Sequence, residues 1–294
     1  MAHKAYIITG PTASGKSEFA HRLARQINGT IINCDSVQIY RGIENISASP
    51  FANRELTGEI DGIPYRLFSI LPLTEQISVA DYLQMAAREY DAAIASGRTP
   101  IFVGGTGYYI NALVNGISPM PDVSEENRAR ARQMVVSDID SVRKMLPVEF
   151  TATDPQRVAR ALEVFLETGR HLSEFQTAPR TGAVVPDALR ILICPDTSVL
   201  RERIALRVPQ MLSGGALDEA HLVLSSGWDE NRAIGASQLC RYIRGEISHS
   251  ECISNWITKT NQYAKRQRTW FRTQYNPDIK INRTGSDADI SEIL

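Results

Sequence analysis

"GPTASGKS", residues 10 to 17, decides the fold. It satisfies G-x-x-x-x-G-K-[ST], and its surroundings are those the motif needs: Tyr6 to Thr9 reads as a short apolar strand before it. After it, Ala20, Leu23, Ala24 and Ile27 repeat on one face of a helix that begins at about Ser17. In a strand, loop and helix so arranged, backbone N–H groups and the helix N-terminus cradle a diphosphate. The candidate phosphate-binding set is therefore Gly10, Pro11, Thr12, Ala13, Ser14, Gly15, Lys16 and Ser17. Lys16 reaches the phosphate oxygens, and the Ser17 hydroxyl is a candidate ligand for Mg²⁺.

Working outward, "GTIINCD" at 29 to 35 reads as a second strand that ends at Asp35. Residues 78 to 95 carry Val79, Tyr82, Leu83, Ala86, Tyr90 and Ile94 at helical spacing, and "TPIFVGGTG" at 99 to 107 supplies a buried strand that ends in a glycine turn. Short apolar strands alternating with helices predict an α/β fold: a P-loop NTPase-like parallel sheet flanked by helices. After about residue 118 two prolines lead into charged helical sequence. Asp154 and Pro155 there make an N-cap and N1 pair for a helix that ends near Gly169. An all-helical insertion domain is expected over 119–185, with 1–118 and 186–294 forming the core and "RILICPD" at 190 to 196 returning the chain to the sheet. Residues 198 to 213 then read as a helix stopped by Gly214 and Gly215.

Bulk properties exclude some classes of function. Of 294 residues, 43% are hydrophobic and 22% charged, an ordinary soluble composition. No run approaches the roughly 18 apolar residues needed to cross a bilayer, and "MAHKAYIIT" leaves no room for a signal peptide. A cytoplasmic location without membrane contact is expected. Cys34, Cys194, Cys240 and Cys252 fit no close-pair zinc spacing, and the five histidines are equally scattered. A formal net charge of −1 argues against wrapping nucleic acid with the whole surface, but "TKTNQYAKRQRTWFR" at 258 to 272 has five Lys or Arg and no acid.

The loop specifies a diphosphate rather than ATP. A nucleotide hydrolase needs a second strand ending in a metal-organising aspartate, yet the Ile101 strand runs into "GGTGYY", and Asp196 is a late substitute. If the diphosphate is a leaving group, Lys16 and the loop amides stabilise charge as it departs, and a nucleophile must approach from the other side. The carboxyl ends of parallel strands converge on one crevice, which brings Asp35 and Thr106 to the loop. Asp35 then accepts a hydrogen bond from the nucleophile, or caps the next turn, or meets Mg²⁺ through water. Thr106 bonds carboxylate or substrate, or serves structure alone.

Five segments in order carry a family resemblance: "GPTASGKS" at 10, "DSVQIYRG" at 35, "VGGTGYY" at 103, "DPQRVARALEVFLETG" at 154 and "AKRQRTWFR" at 264. The chain resembles the tRNA dimethylallyltransferases, also called tRNA isopentenyltransferases, of the bacterial type. They transfer the prenyl group of dimethylallyl diphosphate to N6 of adenine 37 in tRNA. The resemblance implies that the loop holds the donor diphosphate with help from Arg207 and that Asp35 takes the proton or hydrogen bond of the adenine amine. It implies further that Thr106 contacts the adenosine. Asp35, Ser36, Val37 and Gln38, with Arg128, Gln156, Arg157, Val158, Ala159 and Arg160, are implied to face tRNA, whose reacting base is flipped into a channel that the donor enters from the other end. The implied partners are tRNA with unmodified adenine 37 and dimethylallyl diphosphate, with Mg²⁺ as cofactor and no obligate protein partner.

The chemistry of the residues is consistent with this. An adenine N6 amine is a weak nucleophile, and a carboxylate on its N–H raises its electron density as the new bond forms, worth about 10² to 10⁴-fold. Departures are few: Ala236 and Ser237 follow Gly235 where the family usually has a tyrosine and a basic residue, and Asn261 stands where arginine is common. The absence of a zinc-finger extension is expected of the bacterial type. The rival readings are an adenylate isopentenyltransferase acting on AMP, ADP or ATP, a small-molecule kinase, and a non-catalytic RNA-binding P-loop protein.

Overall fold

The structure, a computed structural model, describes residues 5–293. The described parts of Met1–Val114 and Val184–Leu294 form one compact unit, and Asn115–Ala183 forms another.

In the larger unit, seven strands form one sheet: β1 (Tyr6–Thr9), β2 (Gly29–Asn33), β3 (Glu59–Ile60), β4 (Ile63–Arg66), β5 (Thr99–Gly104), β6 (Leu189–Ile193) and β7 (Ile279–Ile281). Their order is β3-β4-β2-β5-β1-β6-β7. All neighbours are parallel except the β3–β4 hairpin. The sheet is thus of the expected α/β kind, modified by one antiparallel ribbon at its edge. β1 and β2 are buried along their whole length, as strands covered on both faces must be. Because β1 lies between β5 and β6, the loops after β1, β2 and β5 open at one edge of the sheet.

Helix α1 (Lys16–Ile27) follows the phosphate loop and buries Phe19, Ala20, Leu23 and Ala24. Helix α2 (Val79–Ala95) begins with a capping box in which Ser78 and Asp81 satisfy each other's amides, which is why it starts where the periodicity predicted. Helix α3 (Gly107–Asn115) follows β5 directly. One correction concerns β2. The strand stops at Asn33, two residues before Asp35, because the Asn33 side chain diverts the chain: its Oδ1 accepts from the Asp35 amide at 2.9 Å, and its Nδ2 donates to the Leu67 carbonyl at 2.9 Å. Asp35 therefore stands on a loop held by its predecessor, not at a strand end.

The smaller unit contains α4 (Glu125–Ser137), α5 (Ile139–Met145), α6 (Pro155–Thr168) and α7 (Leu172–Gln176). Asp154 caps α6 through the Arg157 amide, Pro155 occupies its first turn, and Gly169 ends it in the left-handed conformation. Ala131 and Val135 of α4 pack with Val142 of α5 and with Val158, Ala161 and Leu162 of α6.

The remainder of the larger unit is helical: α8 (Thr197–Met211), α9 (Leu217–Ser226), α10 (Ala236–Ile243) and α11 (His249–Gln274). The Gly214–Gly215 pair lies in a wide turn between α8 and α9, where Gly215 leaves helical geometry with φ 111°. Leu200, Ile204 and Val208 of α8 share a core with Leu239 of α10 and with Trp256 and Ala264 of α11.

Candidate active site

The phosphate loop is braced from three sides. Gly10 sits so close to β6 that a Cβ would lie 2.2 Å from the Ile193 carbonyl oxygen, which permits no larger residue there. From α8, Arg203 Nε donates to the Ala13 carbonyl at 2.9 Å. From the C-terminal segment, the Gly285 amide donates to the Ser14 carbonyl at 2.8 Å, while Arg22 of α1 donates to the carbonyls of Gly285 and Ala288. The Ser14 hydroxyl is fully buried inside the loop and lacks a hydrogen-bond partner among the described residues. Ala13 adopts a positive φ of 64°, an uncommon conformation for a residue with a side chain, and its neighbours hold it there.

The loop after β2 is fastened to the glycine turn after β5. Thr106 Oγ1 accepts from the Ser36 amide at 3.0 Å, so the hydroxyl expected to touch substrate is engaged in positioning the Asp35 loop. Asp35 Oδ1 accepts from the Val37 amide at 3.0 Å. Its Oδ2 has no hydrogen-bond partner among the described residues. Gln38 turns away to donate to the carbonyls of Ser47 and Ala48.

A residue that sequence reasoning passed over joins these parts. Gln267 of α11 is buried; its Oε1 accepts from the Thr12 amide at 2.8 Å, and its Nε2 donates to the Gly105 carbonyl at 2.9 Å. It lies inside the quoted segment "AKRQRTWFR", but neither periodicity nor charge distinguishes a buried bridging amide from a solvated one. Arg268 is likewise occupied, donating to the Pro195 carbonyl and to Cys194 Sγ. Lys265 and Arg266 remain exposed.

These loops surround a cavity of about 700 Å³. Thr12, Ala13, Gly15, Lys16 and Ser17 line it from the phosphate loop; Asp35, Ser36, Val37 and Gln38 line it from the loop after β2; Arg207 lines it from α8. Gly10, Pro11, Ser14 and Thr106 stand behind this wall and hold it. Ile204, Val208, Ile234 and Trp256 make an apolar part of the lining, and Tyr263 faces the cavity as well.

The cavity concentrates positive charge around one carboxylate. Removal from water lowers the Lys16 pKa to about 8; Asp35 nearby opposes the shift, and Arg207 adds to it. Arg207 is also lowered, by burial first and by Arg203 second, against the pull of Asp35. Burial raises the Tyr263 phenol, and the Asp35 charge adds to the effect. Packing cations together in a recess is unfavourable in the absence of an anion, so the wall is built to receive one.

The sequence-derived residues of the smaller unit separate by burial. Arg128 is half-buried and pairs with Glu125 at 3.7 Å. Gln156 and Arg157 are exposed, and Arg160 pairs with the buried Glu163 at 3.2 Å. Val158 and Ala159 are core residues of that unit, so their side chains offer no surface to a ligand. Ala236 is fully buried, and Asn261 Nδ2 bonds back to the Ile257 carbonyl of its own helix at 3.0 Å. Cys34, Cys240 and Cys252 are buried thiols, and Cys194 is partly exposed. Among the described residues no group of three or more His, Cys, Asp or Glu forms a metal site, and no helix is long and apolar enough to cross a membrane.

A P-loop α/β core in which a cationic cradle faces a carboxylate defines an enzyme class built to hold a phosphorylated, anionic ligand. The family model described as IPP transferase matches residues 38–274, and that described as isopentenyl transferase matches residues 3–60. The tRNA dimethylallyltransferase of Rhizobium etli is 38% identical over 285 residues, covering 92% of this chain and 94% of that protein. That of Rhodospirillum rubrum is 37% identical, covering 95% and 88% respectively. Among solved structures, the full-length tRNA isopentenylpyrophosphate transferase of Bacillus halodurans superimposes with a TM-score of 0.67 at 30% identity, covering 99% of this chain and 93% of that one. The chain belongs to the IPP transferase family and is an enzyme of the tRNA dimethylallyltransferase class.

Proposed function

We propose that this enzyme transfers the dimethylallyl group of dimethylallyl diphosphate to N6 of adenine 37 in tRNA and releases diphosphate, in a cytoplasmic setting. The observation that carries the reading is the carboxylate of Asp35: one oxygen is fixed by the Val37 amide, the other has no hydrogen-bond partner among the described residues, and the group lines the cavity that Lys16 and Arg207 also line.

In this reading the phosphate loop, Lys16 and Arg207 hold the donor diphosphate, and their charges stabilise it as the bond to the allylic carbon breaks. The apolar lining takes the five-carbon group. Asp35 Oδ2 accepts a hydrogen bond from the adenine amine and then its proton once the nitrogen carries positive charge. Thr106 acts by holding Ser36, and so fixes Asp35 against the glycine turn. Ser36, Val37 and Gln38 shape the entrance for the base.

A magnesium ion fits the oxygen chemistry of the loop. The exposed Ser17 hydroxyl has no hydrogen-bond partner among the described residues, and the other ligands would be diphosphate oxygens and water. When bound, the ion neutralises charge on the leaving diphosphate. In the smaller unit, Arg128, Gln156, Arg157 and Arg160 are the proposed tRNA-facing side chains, and Val158 and Ala159 support the helix that presents them.

The test incubates the enzyme with radiolabelled dimethylallyl diphosphate and Mg²⁺, offering tRNA with unmodified adenine 37, the same tRNA with guanine at 37, or AMP. Label should enter the first acceptor alone. Label confined to AMP, or equal label in the adenine and guanine tRNAs, would refute the assignment.

A further inference from the structure

Ile46, Ser47 and Ala48 form a stretch of the cavity wall, and a residue far along the chain holds that stretch in place. Glu219 of α9 grips two successive amides. Its Oε1 accepts from the Asn45 amide at 2.7 Å and from Asn45 Nδ2 at 2.9 Å, and its Oε2 accepts from the Ile46 amide at 2.7 Å. Asn53 Nδ2 donates to Asn45 Oδ1 at 3.1 Å, so both polar atoms of the Asn45 side chain are fixed. A Cβ on Gly214 would lie 2.6 Å from that same Oδ1, and the bare glycine lets the turn between α8 and α9 fit against Asn45.

A carboxylate is a costly choice for this place. Glu219 is half-buried, its donors are amides, and among the described residues no cation pairs with it. Burial raises its pKa; the amide bonds oppose the shift, and Glu44 nearby adds to it. What the charge brings is a short bond from each oxygen to consecutive backbone N–H groups. A glutamine could not reproduce this hold, because its nitrogen is a donor.

The held segment carries a junction of the site. Ala48 adopts a φ of 52°, the left-handed conformation that residues with side chains seldom take. Its carbonyl accepts from Gln38 Nε2 at 3.0 Å and from Arg207 Nη2 at 3.3 Å. One oxygen atom thus meets both the loop that follows Asp35 and the guanidinium assigned to the donor diphosphate. Glu219 does not line the cavity, so its influence reaches the ligands through this segment.

We propose that Glu219 is a positioning residue for the transfer: by clamping Asn45 and Ile46 it sets the place of the Ala48 carbonyl, and through that carbonyl the place of Arg207 against the donor diphosphate. This rests on the transfer reading given above, in which Arg207 holds the donor.

The experiment titrates dimethylallyl diphosphate calorimetrically into the enzyme with Mg²⁺ and without RNA. Glu219→Ala should weaken donor binding about tenfold, and Glu219→Gln, which keeps one acceptor oxygen, about threefold. In the Arg207→Ala background, Glu219→Ala should add less than about twofold, because a residue that acts through Arg207 has nothing left to position. Val223→Ala, which opens a cavity in the same helix away from the clamp, should bind the donor as the parent does. Unchanged donor affinity in folded Glu219→Ala, or in folded Glu219→Gln should the alanine variant not fold, would overturn the proposal. So would a full tenfold loss added to Arg207→Ala, or an equal loss in Val223→Ala. A parent enzyme that takes up no dimethylallyl diphosphate would instead bring down the transfer reading, and the proposal with it.

Discussion

Gln267 accepts a hydrogen bond from the Thr12 amide at 2.8 Å, joining the donor loop to a helix that begins more than 230 residues later. Its second bond, to the Gly105 carbonyl, carries the connection to the turn that holds Ser36. Gln267→Ala leaves two buried backbone groups without partners, at about 1 to 3 kcal/mol each. Turnover should fall about 10- to 100-fold, because the leaving-group and acceptor sides lose their common spacer. Gln267→Glu keeps the bond from Thr12, loses the one to Gly105 and places negative charge beside the diphosphate, so donor KM should rise as well. Steady-state kinetics of both variants, with thermal melts as control, check this.

Lys16 predicts opposite effects on stability and on function. Its folded pKa of about 8 lies below the ordinary lysine value. Between the two values the unfolded chain binds more protons, so unliganded stability rises with pH across that window, and the charged form is a burden below it. Lys16→Met should therefore stabilise the unliganded enzyme at pH 7 by on the order of 2 kcal/mol while removing donor binding. In the parent, donor affinity should decline as pH rises through about 8, where Lys16 loses its proton. Calorimetric titration of the donor at several pH values, with denaturant melts, tests both signs.

Asp35→Asn preserves shape and an acceptor for the Val37 amide but removes the charge. Turnover should drop by about 10² to 10⁴-fold. Donor binding should be retained or improved. Single-turnover transfer measured beside donor affinity checks it, and parent-like turnover would exclude Asp35 as the amine's acceptor.

Gly235→Ala should cost about 3 kcal/mol of stability. The residue holds φ 103°, and an added Cβ would lie 2.5 Å from the ring of Trp256, which is itself buried. Urea denaturation measures the loss. Gly227→Ala, at φ 71° with nothing within 4 Å of the added Cβ, should cost less, since only backbone strain remains.

What the sequence makes legible here is local. The P-loop, α1 and the capped start of α6 are specified by motif, periodicity and capping residues a few positions apart, and they appear where those signals put them. The antiparallel β3–β4 ribbon and the short β7 have no such signal, because strands of two to four residues exist only through their partners. Asn33, which ends β2 early, does so by reaching the Leu67 carbonyl, a contact invisible along the chain. Reading Gln156 to Arg160 as one tRNA-facing run conflicts with helix geometry: successive residues turn about 100° apart, so Val158 and Ala159 face inward while Arg157 faces out. Arg203 and Gln267 carry no local mark either, since each acts by meeting a loop some two hundred residues away.

Removing residues 283 to 293 should raise donor KM by about tenfold or more while leaving the helical unit folded, because those residues include the Gly285 amide that holds Ser14. Circular dichroism and donor titration of the shortened chain test this.

The clasp between Gly285 and Ser14 also orders events during synthesis. The phosphate loop at residues 10 to 17 waits for a residue about 270 positions further along before its shape is complete. A nascent chain would carry the motif without a finished donor site until Gly285 had been added, and a message cut short before that residue would yield a protein whose motif is intact but whose grip on the donor is not.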